Sequence, residues 1–356
     1  MFEALDSLLD HFLAEGIPGY DCIVYQNGAP VYRRTKGVSD REAQTPMRGD
    51  ERFNIYSCSK PITCTAALQL AERGLFRLDD PLSAYMPEFA EMTVRTETGL
   101  RKAARPITIR NLFTMTAGFS YNTSSPSLRR VAAQTDGRCP TVETMRALAA
   151  EPLLFDPGDR WEYSLCHDVL AALVEVVSGQ RYGAYVAEHI FAPLGMTHST
   201  FLLPDAELDT VAAQYKCVDG KIVDCGKQIQ PYKLGSAFES GGAGCVSTLE
   251  DYIRFLEGLR TGALLRPETR AAMIANQLSP QAAESYWHAA RYGYGLGVRC
   301  PKPGCSTDFG WDGAAGAVLA IDLAAGMSLF YVQHVLNPPN NSKKLDIVHT
   351  ALAALR

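Results

Sequence analysis

No two cysteines in this chain are spaced Cys-x-x-Cys, although ten occur, at positions 22, 58, 64, 139, 166, 217, 225, 245, 300 and 305. That absence excludes zinc-ribbon and thioredoxin-like readings. No apolar run is long enough to span a bilayer. An excess of basic residues is also missing. Lys and Arg total 34 against 39 Asp and Glu, a formal net charge of −5, so there is no electrostatic case for nucleic acid or an anionic membrane as partner. Internal repeats and low-complexity tracts are absent. The N-terminus, MFEALDSLLDHFLAEG, lacks the basic region of a secretory signal and reads as an amphipathic helix. Cytoplasm is the expected compartment, a mature secreted form being compatible as well. Reduced thiols that pack as small residues are the expected cysteine state.

What is present is ordinary globular composition, 47% hydrophobic and 21% charged over 356 residues, enough for one large domain or two lobes. Asn27-Gly28 between two short apolar runs predicts a hairpin. Within the stretch from Phe53 to Gly74, Ser57 and Lys60 open a helix, with Pro61 in its first turn and Gly74 as its stop. Thr108 to Gly118 reads as a short helix with a glycine stop. Residues 122–140 form a polar excursion, and Val142 to Ala150 a helix. Another helix over Asp168 to Val177 ends at Gly179. The cluster Glu239 to Gly244 lacks phosphate-loop spacing and reads as close backbone packing. Ser247 with Glu250 predicts a capping box. Tyr292 to Arg299, Gly316 to Ile321 and Met327 to His334 read as strands, and Lys344 to Leu355 as a closing helix. An α/β lobe built from 1–78 and 240–356, interrupted by a mostly helical lobe over 79–239, follows, with a ligand cleft between them.

One chemical constellation stands out. Ser57 and Lys60, three apart at a helix start, are neighbours in space. A lysine whose pKa is lowered by burial can act as the base that a serine hydroxyl needs. Tyr163, after a Pro-Gly turn and before a helix, can relay a proton. Trp311-Asp312-Gly313 reads as the start of a strand that continues through the small residues Ala314 to Ala317. Small side chains let a substrate lie along it, and the Ala314 N–H can pair with that of Ser57 as an oxyanion hole. Taken singly, each piece has a plain structural reading as well: a solvated helix start, a packed aromatic, a tightly packed central strand.

Together the pieces resemble the serine β-lactamase and penicillin-binding-protein superfamily. Ser57-Cys-Ser-Lys60 resembles its Ser-x-x-Lys motif. The match is to the class C-type branch, with its D,D-peptidases, D-aminopeptidases and family VIII carboxylesterases. Thr108 to Gly118 resembles the "TIRHLLTHTSG" segment, and Pro157 to Ser164 the "PG..F.YSN" segment. Ala192 to Met196 resembles "PLGM", Gly241 to Asp251 resembles "GGL.ST..D", and Phe309 to Asp322 resembles the "GHGG..G....D" strand. The resemblance implies an antiparallel sheet flanked by helices, with a helical second lobe. It implies that Ser57 forms an acyl-enzyme, that Lys60 and Tyr163 share a proton as base and acid, and that no metal or organic cofactor is needed. The expected partner is a small ester, amide or lactam.

Two departures bear on the substrate. Leu165 stands where class C β-lactamases carry the asparagine of Tyr-x-Asn. Trp311-Asp312-Gly313 stands for Lys-Thr-Gly, which resembles the esterase members. A cation there would bind a substrate carboxylate, whereas an ionised Asp312 would repel it or draw an amine. Leu165, Trp311, Asp312 and Gly313 are thus the expected substrate-binding residues. The expected activity is a carboxylesterase for neutral or cationic esters with weak or no β-lactam hydrolysis. A D-aminopeptidase or amidase, a class C-like β-lactamase, an acyltransferase and a catalytically silent ligand-binding or scaffold homologue are the competing readings. Asp312→Asn is expected to favour carboxylate-bearing esters over neutral ones.

Overall fold

The computed structural model describes residues 1–227 and 232–356. Apolar residues alternate along its strands, and a strand sends successive side chains to opposite faces. Strands β1 (Gly19–Gln26), β2 (Ala29–Asp40), β3 (Thr45–Pro46), β4 (Gly293–Tyr294), β5 (Arg299–Cys300), β6 (Phe309–Asp312), β7 (Val318–Asp322) and β8 (Met327–Gln333) form one sheet. Its order is β4-β5-β6-β7-β8-β1-β2-β3, with every neighbour antiparallel. Tyr20, Cys22, Val24, Val318, Ala320, Leu329 and Tyr331 face one side. There they pack on Leu5, Leu9 and Phe12 of helix α1 (Glu3–Ala14) and on Ile347, Val348 and Ala351 of the C-terminal helix, Lys344–Leu355. Ile23, Leu319, Ile321, Phe330 and Val332 face the other side and join a second core. Each such fully buried side chain contributes about 1.5–3 kcal/mol.

That second core holds helix α2 (Ser59–Glu72), helix α3 (Cys166–Ser178) and helix α4 (Leu249–Thr261). Leu68 of α2, Leu170 of α3 and Leu256 of α4 share one cluster, so a single core crosses the expected boundaries at 78 and 239. All eight strands come from residues 19–46 and 293–333. The 79–239 segment is a mixture of helices and loops, with less than half of it helical, and also carries two hairpins. One spans 93–102, and the other pairs Gln214–Val218 with Lys221–Gly226 and then with Val335–Leu336. Asn27 and Gly28 both take positive φ, as the predicted tight hairpin turn requires. Among the described residues no helix is long and apolar enough to cross a membrane. The C-terminal helix (Lys344–Leu355) is α5 below.

Five local expectations change. Tyr292 to Arg299 is a hairpin, β4 and β5, and not one strand. Gly297 (φ +87°) turns the chain where a Cβ would lie 2.1 Å from the Cys64 sulfur of α2. The helix expected over Thr108 to Gly118 ends at Phe113. Its box is Thr108 with Asn111, and the Asn111 amide also binds Thr116, which draws the chain out of the helix. The cap of α4 is Thr248, accepting from Asp251 N–H, because Ser247 is held in a two-residue ladder with Phe53. The 122–140 excursion contains a helix, Pro126–Gln134, capped by Ser125. Finally, Trp311-Asp312 ends a strand. Residues 313–317 are a turn in which the Gly313 N–H reaches the Ala317 carbonyl at 2.8 Å and Gly316 adopts φ +96°.

Candidate active site

Ser57 lies in a 3-10 turn, Tyr56–Cys58, immediately ahead of α2. Tyr56 takes φ +48°, a conformation unfavourable for a bulky residue, and three bonds hold it there. Its hydroxyl donates to Gln214 Oε1 at 2.8 Å. The Ser59 hydroxyl donates to the Tyr56 carbonyl at 2.6 Å and accepts from Cys245 N–H at 2.9 Å. The turn therefore presents Ser57 at the surface of a cleft while Lys60, one turn on, points inward and is fully buried.

Ser57 Oγ is the meeting point. Tyr163 OH donates to it at 2.5 Å and Lys60 Nζ at 3.2 Å. Lys60 Nζ also donates to the Gly242 carbonyl at 2.7 Å and lies over the Tyr163 ring, 4.5 Å from its centre. Burial pulls the Lys60 pKa down to about 8, against the opposing pull of Asp168. Burial also raises the Tyr163 phenol above its ordinary value, with the bonds to Ser57 and Trp311 working the other way. Near neutral pH a fraction of Lys60 is thus uncharged and able to take a proton, while Tyr163 holds its own.

Above Ser57 opens a cleft of about 450 Å³, lined by Ser57, Tyr163, Trp311, Asp312 and Ala314. Gly313 lets the 313–317 turn press against the Ser57 segment, since a Cβ there would meet the Ile55 carbonyl at 2.7 Å. Ala314 follows on that turn and so faces the same cleft as Ser57. Leu165 is not among the lining residues. It is buried in the core at the start of α3, with its N–H bonded to the Ser120 carbonyl.

Several residues of the site were not singled out from the sequence. Tyr121, Tyr232 and Trp287 complete an aromatic wall, and Asn337, Asn341 and Lys344 a polar one. Tyr121 stacks on Tyr163 at 5.3 Å, and Trp287, 63% exposed, forms the rim. Lys344 changes the reading of Asp312. Its ammonium lies 3.1 Å from Asp312 Oδ1, so the carboxylate is not an unpaired charge available to draw an amine. No local pattern marked Lys344, which reaches the cleft from the C-terminal helix.

Other features of the molecule are accounted for structurally. Cys58 and Cys166 are buried free thiols whose pKa burial raises. His167, behind Lys60, is buried, its pKa pulled down to about 3 by burial and the Lys60 charge, and its Nε2 lies 3.2 Å from the Phe113 carbonyl. A larger cleft of about 760 Å³ lies away from Ser57, and its arginines pair with its own acids, Arg52 with Glu207 and Arg254 with Asp251 among them.

The sequence matches the family profile described as Beta-lactamase over residues 5–354. The chain belongs to the β-lactamase family. Membership makes it a serine hydrolase related to β-lactamases, penicillin-binding proteins and esterases. Esterase EstB of Burkholderia gladioli is 32% identical over 354 residues, covering 91% of this chain and 88% of its own. EstCE1, described as a hydrolase with promiscuous acyltransferase activity, superposes with a TM-score of 0.81 at 26% identity. That match covers 99% of this chain and 97% of EstCE1. Unliganded simvastatin synthase LovD of Aspergillus terreus superposes at 0.79, with 26% identity and 99% and 98% coverage. This member of the β-lactamase family therefore shares its antiparallel sheet and helical surround with EstCE1 and with simvastatin synthase.

Proposed function

We propose that the protein is a carboxylesterase that forms an acyl-enzyme on Ser57. The observation that carries this reading is the double contact on Ser57 Oγ, from Tyr163 OH and Lys60 Nζ, at the floor of an aromatic cleft. Uncharged Lys60 takes the Ser57 proton as Oγ attacks the ester carbonyl. The backbone N–H groups of Ser57 and Ala314 receive the developing oxyanion. Tyr163 gives its proton to the departing alkoxide and is reprotonated from Lys60. Water repeats the sequence in reverse to release the acid. The similarity to EstB and EstCE1 supports ester substrates.

The walls indicate which esters. Tyr121, Tyr232, Trp287 and Trp311 suit uncharged acyl or alcohol groups with flat apolar surface. Asp312 is paired with Lys344, which removes the ground for a cationic preference. With Leu165 in the core, no amide at that position reaches the cleft to grip a lactam side chain, so β-lactam hydrolysis is weak or nil. Acyl transfer is the second reading, favoured by the likeness to EstCE1, and an added alcohol acceptor would reveal it as a new ester product.

The deciding measurement is p-nitrophenyl butyrate turnover together with labelling by a fluorophosphonate probe. Both should be lost in Ser57→Ala, with turnover falling by at least about 10³-fold. Equal turnover and labelling in the two proteins would reject Ser57 as nucleophile.

A further inference from the structure

Behind Lys60 lies a carboxylate that the acyl-transfer steps do not use. Asp168, on the first turn of α3, is 1% exposed. Its Oδ1 accepts from the Ser240 hydroxyl at 2.5 Å and from the Gly242 N–H at 3.2 Å, and its Oδ2 has no hydrogen-bond partner among the described residues. The Gly242 carbonyl in turn accepts from Lys60. This loop is wedged between α2 and α3. A Cβ on Gly242 would lie 2.5 Å from Asp168 Oδ2, and one on Gly241 would lie 2.5 Å from the His167 carbonyl. Thr63 of α2 donates to the Gly241 carbonyl at 2.7 Å. The glycine cluster is thus the closest available link between a buried acid and a buried amine.

We propose that Asp168 is a positioning residue for the acylation step: it pins the 240–244 loop so that the Gly242 carbonyl aims the Lys60 amine at Ser57, and it places a negative charge behind that amine. The inference rests on the reading of Lys60 as the base and adds to it a residue that sets where and at what pH that base works. The groups facing Lys60 are few. Cys58 and Cys64 lie on its own turn and helix, Tyr121 and Tyr163 lie beneath the ammonium, Cys166, His167 and Asp168 come from α3, and Asp312 from β6. His167 and the three thiols are neutral near pH 7, since burial lowers the imidazole pKa and raises those of the thiols. Asp168 exerts the largest electrostatic pull on Lys60 and Asp312 a smaller one. Burial raises the Asp168 pKa, while Lys60 and the bonds from Ser240 and Gly242 hold its charge in place.

Two variants separate charge from position. Asp168→Asn keeps an oxygen for Ser240 and Gly242 but removes the charge, so Lys60 should lose its proton more readily. The acid limb of the rate of fluorophosphonate labelling at Ser57 should then move down by about one pH unit. Ser240→Ala keeps the charge and loosens the loop. It should slow labelling by about tenfold at every pH and leave the limb in place. Thermal melts of both proteins check that the fold is retained. An unmoved limb in Asp168→Asn, or a wild-type rate in Ser240→Ala, would overturn the proposal. An unlabelled wild-type protein would instead overturn the acyl-enzyme reading, and this inference with it.

Discussion

Lys60 is the residue on which chemistry and stability pull in opposite directions. An exposed lysine would be charged at neutral pH and useless as a base. Full burial lowers its pKa from the ordinary 10.5 to about 8. Ester turnover should therefore rise about tenfold per pH unit below 8 and level off above it, which a kcat/KM profile over pH 6 to 10 would read. The same shift is a stability statement. Between pH 8 and 10.5 the unfolded chain binds the lysine proton and the folded chain does not, so stability from this group rises with pH across that window. Lys60→Met lacks the term. Wild type should gain on that variant by an amount on the order of 3 kcal/mol as pH climbs from 8 to 10.5. Urea titrations showing a constant difference would mean that Lys60 stays charged in the fold.

At the scale of elements, the 313–317 turn deserves the closest test, because it carries Ala314 to the cleft. Gly316 sits at φ +96°, and a Cβ there would lie 2.1 Å from the Gln333 amide nitrogen. Gln333 cannot yield readily. It is fully buried and held by Tyr331 OH at 2.6 Å and by Asn340 at 3.1 Å. Gly316→Ala should destabilise the protein by about 2 to 4 kcal/mol through strain and overpacking. It should also lower kcat more than it changes KM, since it displaces an oxyanion donor and not a binding wall. A fall in stability with kcat intact would separate the turn from the chemistry. Small residues suit a close-packed strand as well as a tight reversal, so the spacing of 314–317 predicts a strand where packing makes a turn. Helices α2, α3, α4 and α5 were legible because apolar spacing and glycine stops act within a few residues. The cap of α4 was misplaced by one residue because a strand partner, Phe53, had already claimed Ser247.

At the scale of the whole molecule, one wall of the cleft is set where the end of β6 meets the start of the C-terminal helix. Asp312 terminates β6 and Lys344 opens α5, and their 3.1 Å contact sets the charge of the wall. Asp312→Asn should free Lys344 and raise turnover of carboxylate-bearing esters relative to neutral ones by about tenfold. That is the direction expected from sequence, with a different cause. Lys344→Met should move the same ratio the opposite way by exposing an unpaired Asp312. Ratios that stay put in both variants would mean that the pair faces away from bound substrate.

The sequence by itself marked the candidate trio, Ser57 and Lys60 from their spacing and Tyr163 with the help of the family resemblance. Ser57 and Lys60 are one helical turn apart, and Tyr163 is flagged by a turn, a tryptophan and a following helix. The Ser57–Lys60 spacing is a short-range pattern that helix geometry enforces, whereas the Tyr163 contact with Ser57 joins segments 106 residues apart and comes from the packed core. Only the tertiary structure decided what surrounds the trio. It sent Leu165 into the core, brought Tyr121, Tyr232 and Trp287 to one wall, and set Lys344 against Asp312. The physical reason is that burial and pairing of a charge depend on which distant segments the packed core leaves adjacent, and no local periodicity encodes that.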